Sequence, residues 1–356
     1  MSDRETRRLG AAGRRRLMGL LRGRLLAVCY GAGVDSTALL VALRLAGLRP
    51  HIITFADLAA EKPETMVHLE RMDAVLSAWG WPPITICRKI PLPSTGYHDL
   101  YGNCIVNETL PSLAFGMKSC SIKWKQKPQD QAIKGSKSGP NAAPPHPVWI
   151  EAQRRGERIV KLIGYDCGRA DLRRSRNLPE ADADFDYAYP LQILGWNRAD
   201  CVHLITEVLG ADMVPIKSAC FFCPASKHWE LWWLAGHHPD LLERALILER
   251  NALTGRHSRF SEVEFGASWE ELVRNASRFP SSSTTVGLGR SFAWNQWART
   301  NDVVDDAFRV KRGADDRARF LALADSLRQD DNALDWRTIA ESTASSPSAS
   351  QPACSP

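Results

Sequence analysis

The stretch "YGAGVDSTALLVAL" runs from Tyr30 to Leu43. Before it, "RLLAVCY" (24–30) reads as a buried strand, and from Ser36 to about Ala46 the chain reads as an apolar helix. A turn from a first strand into a first helix leaves backbone N–H groups unpaired along the helix dipole. They favour an anion by roughly 0.3–1 kcal/mol per charge at exposed sites. Gly31, Ala32 and Gly33 are small enough to let an anion reach that backbone, and Ser36 and Thr37 add hydroxyls. Asp35 would repel a bare phosphate, so it suits a site that also takes Mg²⁺ or needs an acceptor. Two better-known glycine loops are excluded. Position 36 is Ser where G-x-G-x-x-G needs Gly, and no lysine lies in 31–43 for a G-x-x-x-x-G-K-[ST] loop.

Outward from this turn the pattern is strand, helix, strand, helix, strand. "HIITFAD" (51–57) is a second strand, "PETMVHLERMDAVLSAWG" (63–80) a helix opened by Pro63, and "PITICRKI" (83–90) a third strand. The alternation predicts an α/β fold with a parallel sheet flanked by helices. "GSKSGPNAAPPHP" (135–147) reads as an exposed loop, "RIVKLIGYD" (158–166) as a further strand, and "RADCVHLITEVLG" (198–210) as a helix stopped by Gly210. Residues 226–255 read as helical with a break near Pro239, and 260–340 as a helical, Trp- and Arg-rich region. "STASSPSASQPACSP" at the end is low-complexity and expected to be disordered. The expected organisation is an arm (1–24), a nucleotide-binding α/β domain (25–235), a helical C-terminal region (236–340) and a tail (341–356).

The chain has 356 residues, 44% hydrophobic and 24% charged, an ordinary globular composition. No run of about 18 apolar residues suggests a membrane span. Eight arginines against Asp3 and Glu5 in residues 1–24 account for the whole formal charge of +6. The arm is either a solvated tail or a segment that meets nucleic acid phosphates. Nine cysteines are too few for a disulfide scaffold, and no secretory signal is evident, so reduced thiols and a cytoplasmic location are expected.

Five further segments follow the loop in order: "TFADLAAEKPET", "KSCSIKWKQKP" (118–128), "IGYDCGRADLRRSR" (163–176), "YPLQILGWNRADC" (189–201) and "KSACFFCPASK" (217–227). The loop resembles the S-G-G-x-D-S pyrophosphatase loop of the adenine nucleotide alpha hydrolase superfamily, with Gly31 and Ala32 standing where the pattern has Ser and Gly. The succession is similar to that superfamily's phosphoadenosine phosphosulfate reductase-like branch, in its shorter phage- and mobile-element-type members, over about residues 25–235. The resemblance implies a Rossmann-like sheet that binds ATP or an adenylylated sulfonucleotide. It further implies release of pyrophosphate with transfer of AMP to a substrate oxygen. Gly31, Ala32, Gly33, Asp35, Ser36 and Thr37 would cradle the phosphates, with Asp35 and Ser36 catalytic. Asp57, at a strand's carboxyl end, would lie near the nucleotide or its metal.

Cys220 and Cys223 form C-F-F-C before Pro224, a spacing that suits a shared metal or a redox pair. The family pattern adds Cys120, implying three thiolates for a [4Fe–4S] cluster, with zinc as the alternative and Cys104 or Cys167 as a fourth ligand. Cys29, Cys87 and Cys201 read as core residues, and Cys354 lies in the tail. Arg169, Arg173, Arg174 and Arg176 beside Asp171 either suit phosphate or sulfate or form a solvated loop with surface pairs; Arg169 and Arg173 are the nucleotide-binding candidates. Lys118, Lys123, Lys125 and Lys127 read either as phosphate contacts or as a wet face, on a helix or an edge strand. "TVGLGRSFAWNQWAR" (285–299) is a packing or base-stacking segment, and His237–His238 a structural pair at a helix break.

Three functions are compatible with these residues. The first is an ATP-dependent adenylating enzyme of sulfur transfer or nucleic acid modification. The second is a sulfonucleotide reductase, against which stands the lack of a C-terminal Glu-Cys-Gly-type segment. The third is a non-catalytic nucleotide- or nucleic-acid-binding subunit of a larger assembly.

Overall fold

The structure is a computed structural model and describes residues 9–115, 119–254, 287–290, 292–313 and 316–328. Its centre is a five-stranded, wholly parallel sheet in the order β3–β2–β1–β4–β5. The strands are β1 (Leu26–Tyr30), β2 (Ile52–Asp57), β3 (Ile84–Arg88), β4 (Ile159–Ile163) and β5 (Phe185–Ala188). β2 is buried throughout and β1 nearly so. That is why both read as continuous apolar runs and not as alternating ones: helices cover both faces. Register pairs Cys29 with Thr54 on one side of β1 and with Ile163 on the other.

The first two helices in chain order are α1 (Ala11–Leu21) and α2 (Val34–Ala46). α2 begins at Val34, two residues before the sequence expectation, because Gly33 serves as its N-cap and the Thr37 N–H already donates to the Gly33 carbonyl at 2.9 Å. Gly47, at φ 78°, ends α2 in the left-handed conformation that favours glycine. α3 (Pro63–Ala78) carries proline at its first turn, as expected. Tyr189 follows the end of β5 directly, and Pro190 opens a short helix, Pro190–Leu194.

Two expectations about organisation change. From residue 9 onward the basic arm is part of the fold. Leu17 is 0% exposed, and α1 packs so closely that a Cβ on Gly13 would stand 2.8 Å from Leu194 Cδ2. The apolar residues spaced between arginines give α1 a buried face, leaving Arg15 and Arg16 outside; residues 1–8 lie outside the described residues. The expected boundary at 235/236 also falls inside a shared core. Phe221, Leu231, Leu242, Leu246, Trp294 and Val304 belong to one apolar cluster. The helix break sits where expected, between His228–His237 and Pro239–Thr254. The tail from 329 onward, with Cys354, and most of 255–291 lie outside the described residues. No described helix is long and apolar enough to cross a membrane.

Candidate functional site

A parallel sheet of this order reverses direction between β1 and β4, and ligands of such sheets bind outside the carboxyl ends of the strands flanking that point. The two segments that meet there are the loop 31–36 and the residues after β4. A Cβ on Gly164 would stand 2.8 Å from the Ser36 backbone nitrogen, so only glycine lets β4's end approach the first turn of α2 this closely. From the other side, a Cβ on Gly33 would come within 2.9 Å of Ser218 Oγ. Ala32 holds φ at 52°, a conformation usually left to glycine, and is fully buried.

Within the loop the hydroxyls do not all face outward. Ser36 Oγ accepts from the Gly33 N–H at 3.2 Å and donates to the Gly33 carbonyl at 3.1 Å, closing the turn. Thr37 corrects its sequence reading. It is 0% exposed, with Oγ1 3.1 Å from both Tyr30 Oη and His68 Nε2, so its hydroxyl belongs to the core and not to a phosphate.

Asp35 is the electrostatic centre. Arg198 Nη1 donates to its Oδ2 at 2.7 Å, while its Oδ1 is buried without a hydrogen-bond partner. Burial pushes the carboxyl up to about 6; Arg198 pulls it down, and the neighbouring Asp166 and Asp171 push it further up. Arg198 and Asp166 were not singled out in the sequence. Arg198 sits in a first helical turn capped by Asn197 and looks there like any solvated N-terminal residue. Asp166 takes the Gly168 N–H at 2.7 Å, in the turn that leads into the helix Arg169–Arg176. On that helix Arg174 pairs with Asp171 at 2.7 Å, and Arg169 and Arg173 are exposed. The rings of Tyr165 and Tyr189 stack at 5.6 Å beside this group.

Asp57 ends β2 on the same rim, but its carboxylate is tied within the fold. Oδ1 takes the Ala59 N–H at 2.7 Å and Oδ2 pairs with Arg88, its register partner on β3.

Cys220 and Cys223 share one turn, and Cys120 stands within electrostatic range of it. Glu61 and Cys220 form an antiparallel bridge, the Phe221 N–H donates to the Ala60 carbonyl at 2.9 Å, and the Cys223 N–H donates to the Cys220 carbonyl at 3.0 Å. The segment is pinned by Glu230, buried between Lys62 Nζ at 3.1 Å and Lys217 Nζ at 2.5 Å. The Cys220 thiol is pushed far up by burial and by Glu61, pulled down by Lys125, and pushed up again by Cys223 and Cys120. Lys125 Nζ lies 3.8 Å from Glu61 Oε1; burial lowers its amine, but Glu61 and the three thiols raise it on balance. It stands on a π-helical stretch, Ile122–Gln126, and not on an edge strand; Lys118 lies outside the described residues. Of the two fourth-ligand candidates, Cys104 neighbours Cys120, and burial pushes its thiol up to about 12. Cys167 stands instead beside Asp166 and Asp200. Cys87 and Cys201 are buried and Cys29 lies in β1. Three thiols beside an ammonium are a soft donor set of the chemistry an anionic cluster meets. Among the described residues, though, no three His, Cys, Asp or Glu side chains are already spaced as a metal site.

His238 Nε2 bonds Glu64 Oε1 at 2.7 Å and Trp233 Nε1 donates to the same oxygen at 2.8 Å, a structural arrangement. No family model matches this chain, and no curated protein matches it in sequence.

Proposed function

We propose that this chain is an ATP-binding enzyme of the pyrophosphatase-loop type, which transfers AMP to an acceptor in sulfur transfer or nucleic acid modification. The observation that carries the reading is the loop 31–36 at the β1/β4 switch point, with the partnerless Asp35 Oδ1 buried beside it. The first-turn N–H groups of α2 would take phosphate oxygens, with Gly31 and Gly33 giving access to the backbone. Arg198 would hold Asp35 in place, and the exposed Arg169 and Arg173 would meet the outer phosphates or the acceptor. Asp35, with Asp166 and Asp171 near it, would hold a Mg²⁺, which when bound neutralises phosphate charge. In the reaction an acceptor oxygen attacks the α-phosphorus, the bond to the bridging oxygen breaks, and pyrophosphate leaves.

Cys120, Cys220 and Cys223 would hold the iron–sulfur cluster or zinc in this reading; such a centre, when bound, supplies thiolate-ligated metal for sulfur chemistry. The test is pyrophosphate release from labelled ATP, with and without candidate oxygen acceptors (nucleic acid and small carboxylates). Acceptor-dependent release supports the reading. Absence of both ATP binding and release overturns it. A second reading, a nucleotide-binding subunit without turnover, is favoured by the Ser36 hydroxyl being closed onto Gly33. ATP binding without release would select it. Sulfite production from a sulfonucleotide would select the reductase.

A further inference from the structure

A cavity of about 300 Å³ opens beside Cys120, away from the β1/β4 loop. Its lining is of three kinds. Leu110 and Trp124 form an apolar wall, Asn103 and Ser112 offer hydrogen bonds, and two thiols, Cys104 and Cys120, share the same space. Ser112 Oγ also accepts the Cys120 N–H at 3.0 Å, which fixes the backbone that carries the thiol. Lys123 lines the cavity from an exposed position. Lys89 lies with its Nζ 4.2 Å from the Trp124 ring centre. With Lys123 in the lining and Lys89 over the Trp124 ring, two ammonium groups belong to the same wall.

A volume this small admits a compact molecule. Clustered cations select for negative charge and raise the local concentration of an anion. Two thiols in one small space select for sulfur, because thiol–disulfide exchange is the reaction a thiol offers without a metal. The occupant that satisfies all three is a small disulfide bearing carboxylates. We infer that this cavity is a docking site for a small carboxylate-bearing disulfide, and that Cys120 is the residue it modifies. The Cys120 thiolate attacks one sulfur of the bound disulfide. The disulfide bond breaks, a mixed disulfide forms on Cys120, and the departing thiolate takes up the proton that Cys120 released. Cys120 neighbours Cys220, so occupancy also removes one thiol from the three-cysteine group.

The inference rests on the Cys120 thiol and not on the nucleotide reading, and ATP protection measured in parallel reports on the latter alone. The full chain, reduced, with and without chelator treatment, is exposed to dithiodiglycolate, a small anionic disulfide, or to cystamine, a cationic disulfide of similar size. Adducts are followed by intact mass and located by peptide mapping. The mercaptoacetate half of dithiodiglycolate should attach at Cys120, and roughly tenfold or more faster than the cystamine half, since charge attraction at a focused site changes encounter rates by that order. Cys120→Ser should abolish that adduct. Lys123→Glu should reverse the preference between the two reagents. Leu110→Trp, which fills the cavity, should slow the reaction while melting as a folded protein. A mercaptoacetate adduct that forms only after chelation supports the cavity equally, since a metal would then have held the thiol. Equal rates for the two disulfides, or adducts spread over Cys167 and Cys223 as readily as Cys120, would overturn the inference.

Discussion

Gly164 and Ser36 touch backbone to backbone: the end of β4 leaves no room for even a methyl group against the first turn of α2. Neither partner is a flexible side chain, so the contact cannot be relieved by a rotamer change. Gly164→Ala should therefore cost about 1–3 kcal/mol, the range for forced overpacking. It should also open the anion site, so ATP protection against thermal unfolding falls by more than the loss of basal stability explains. Melting curves with and without ATP check this, and a Gly164→Ala protein with undiminished ATP protection would remove Gly164 from the site.

The Asp35 carboxyl titrates near 6 in the folded protein against an ordinary 3.8. A raised carboxyl means that the folded state keeps a proton the unfolded chain has released. Its contribution to stability is thus full below pH about 4 and is lost as pH rises towards about 6, by about 1–3 kcal/mol. Asp35→Asn should flatten that part of the profile relative to wild type. Arg198→Ala should steepen it, because the cation that lowers the carboxyl among the described residues is gone. Urea unfolding at a series of pH values checks both, and parallel profiles for wild type and Asp35→Asn would refute the assignment.

The loop itself was readable because its physics is local: strand, small residues, helix start. The parallel sheet was readable because two-sided burial writes itself as unbroken apolar runs such as β2. Arg198 was not, since it reaches Asp35 from 163 residues away and its own helix start explains it without the site. Thr37 looked like a phosphate donor because nothing local shows that Tyr30 and His68 claim its hydroxyl. The arm looked detachable because eight arginines outweigh the apolar spacing of Leu17 and Leu21, which acquires meaning only once a core exists to receive it. Lys62 and Glu230, 168 residues apart, each read as ordinary charged helix-end residues.

Lys62 and Glu230 are 1% and 0% exposed, with Lys217 bonded to the same carboxylate. Removing one member of a buried pair leaves an uncompensated charge, at about 3–5 kcal/mol. Glu230→Ala strands two ammonium groups, so it should reach that range in urea unfolding, and Lys62→Met should restore part of it in the double variant. A loss below about 1 kcal/mol would show that water reaches these lysines.

The cysteine group makes the sharpest demand. Cys120 and the pair Cys220–Cys223 come from segments about a hundred residues apart, and a shared metal would tie them together. Thiolates held by a metal are deprotonated and shielded, and metal binding to the folded state adds directly to stability. Protein purified without oxygen should therefore carry iron with sulfide, or zinc, and lose it together with several degrees of melting temperature in each of Cys120→Ser, Cys220→Ser and Cys223→Ser. Cys29→Ser, in the middle of β1, should keep the metal even where a buried hydroxyl lowers stability. Cys104→Ser separates a four-ligand site from a three-ligand one: metal is lost in the first case and retained in the second. If the anaerobic protein holds neither metal, and all three thiols alkylate freely in the native state, then Lys125 and Glu61 surround ordinary thiols and the sulfur-transfer reading fails.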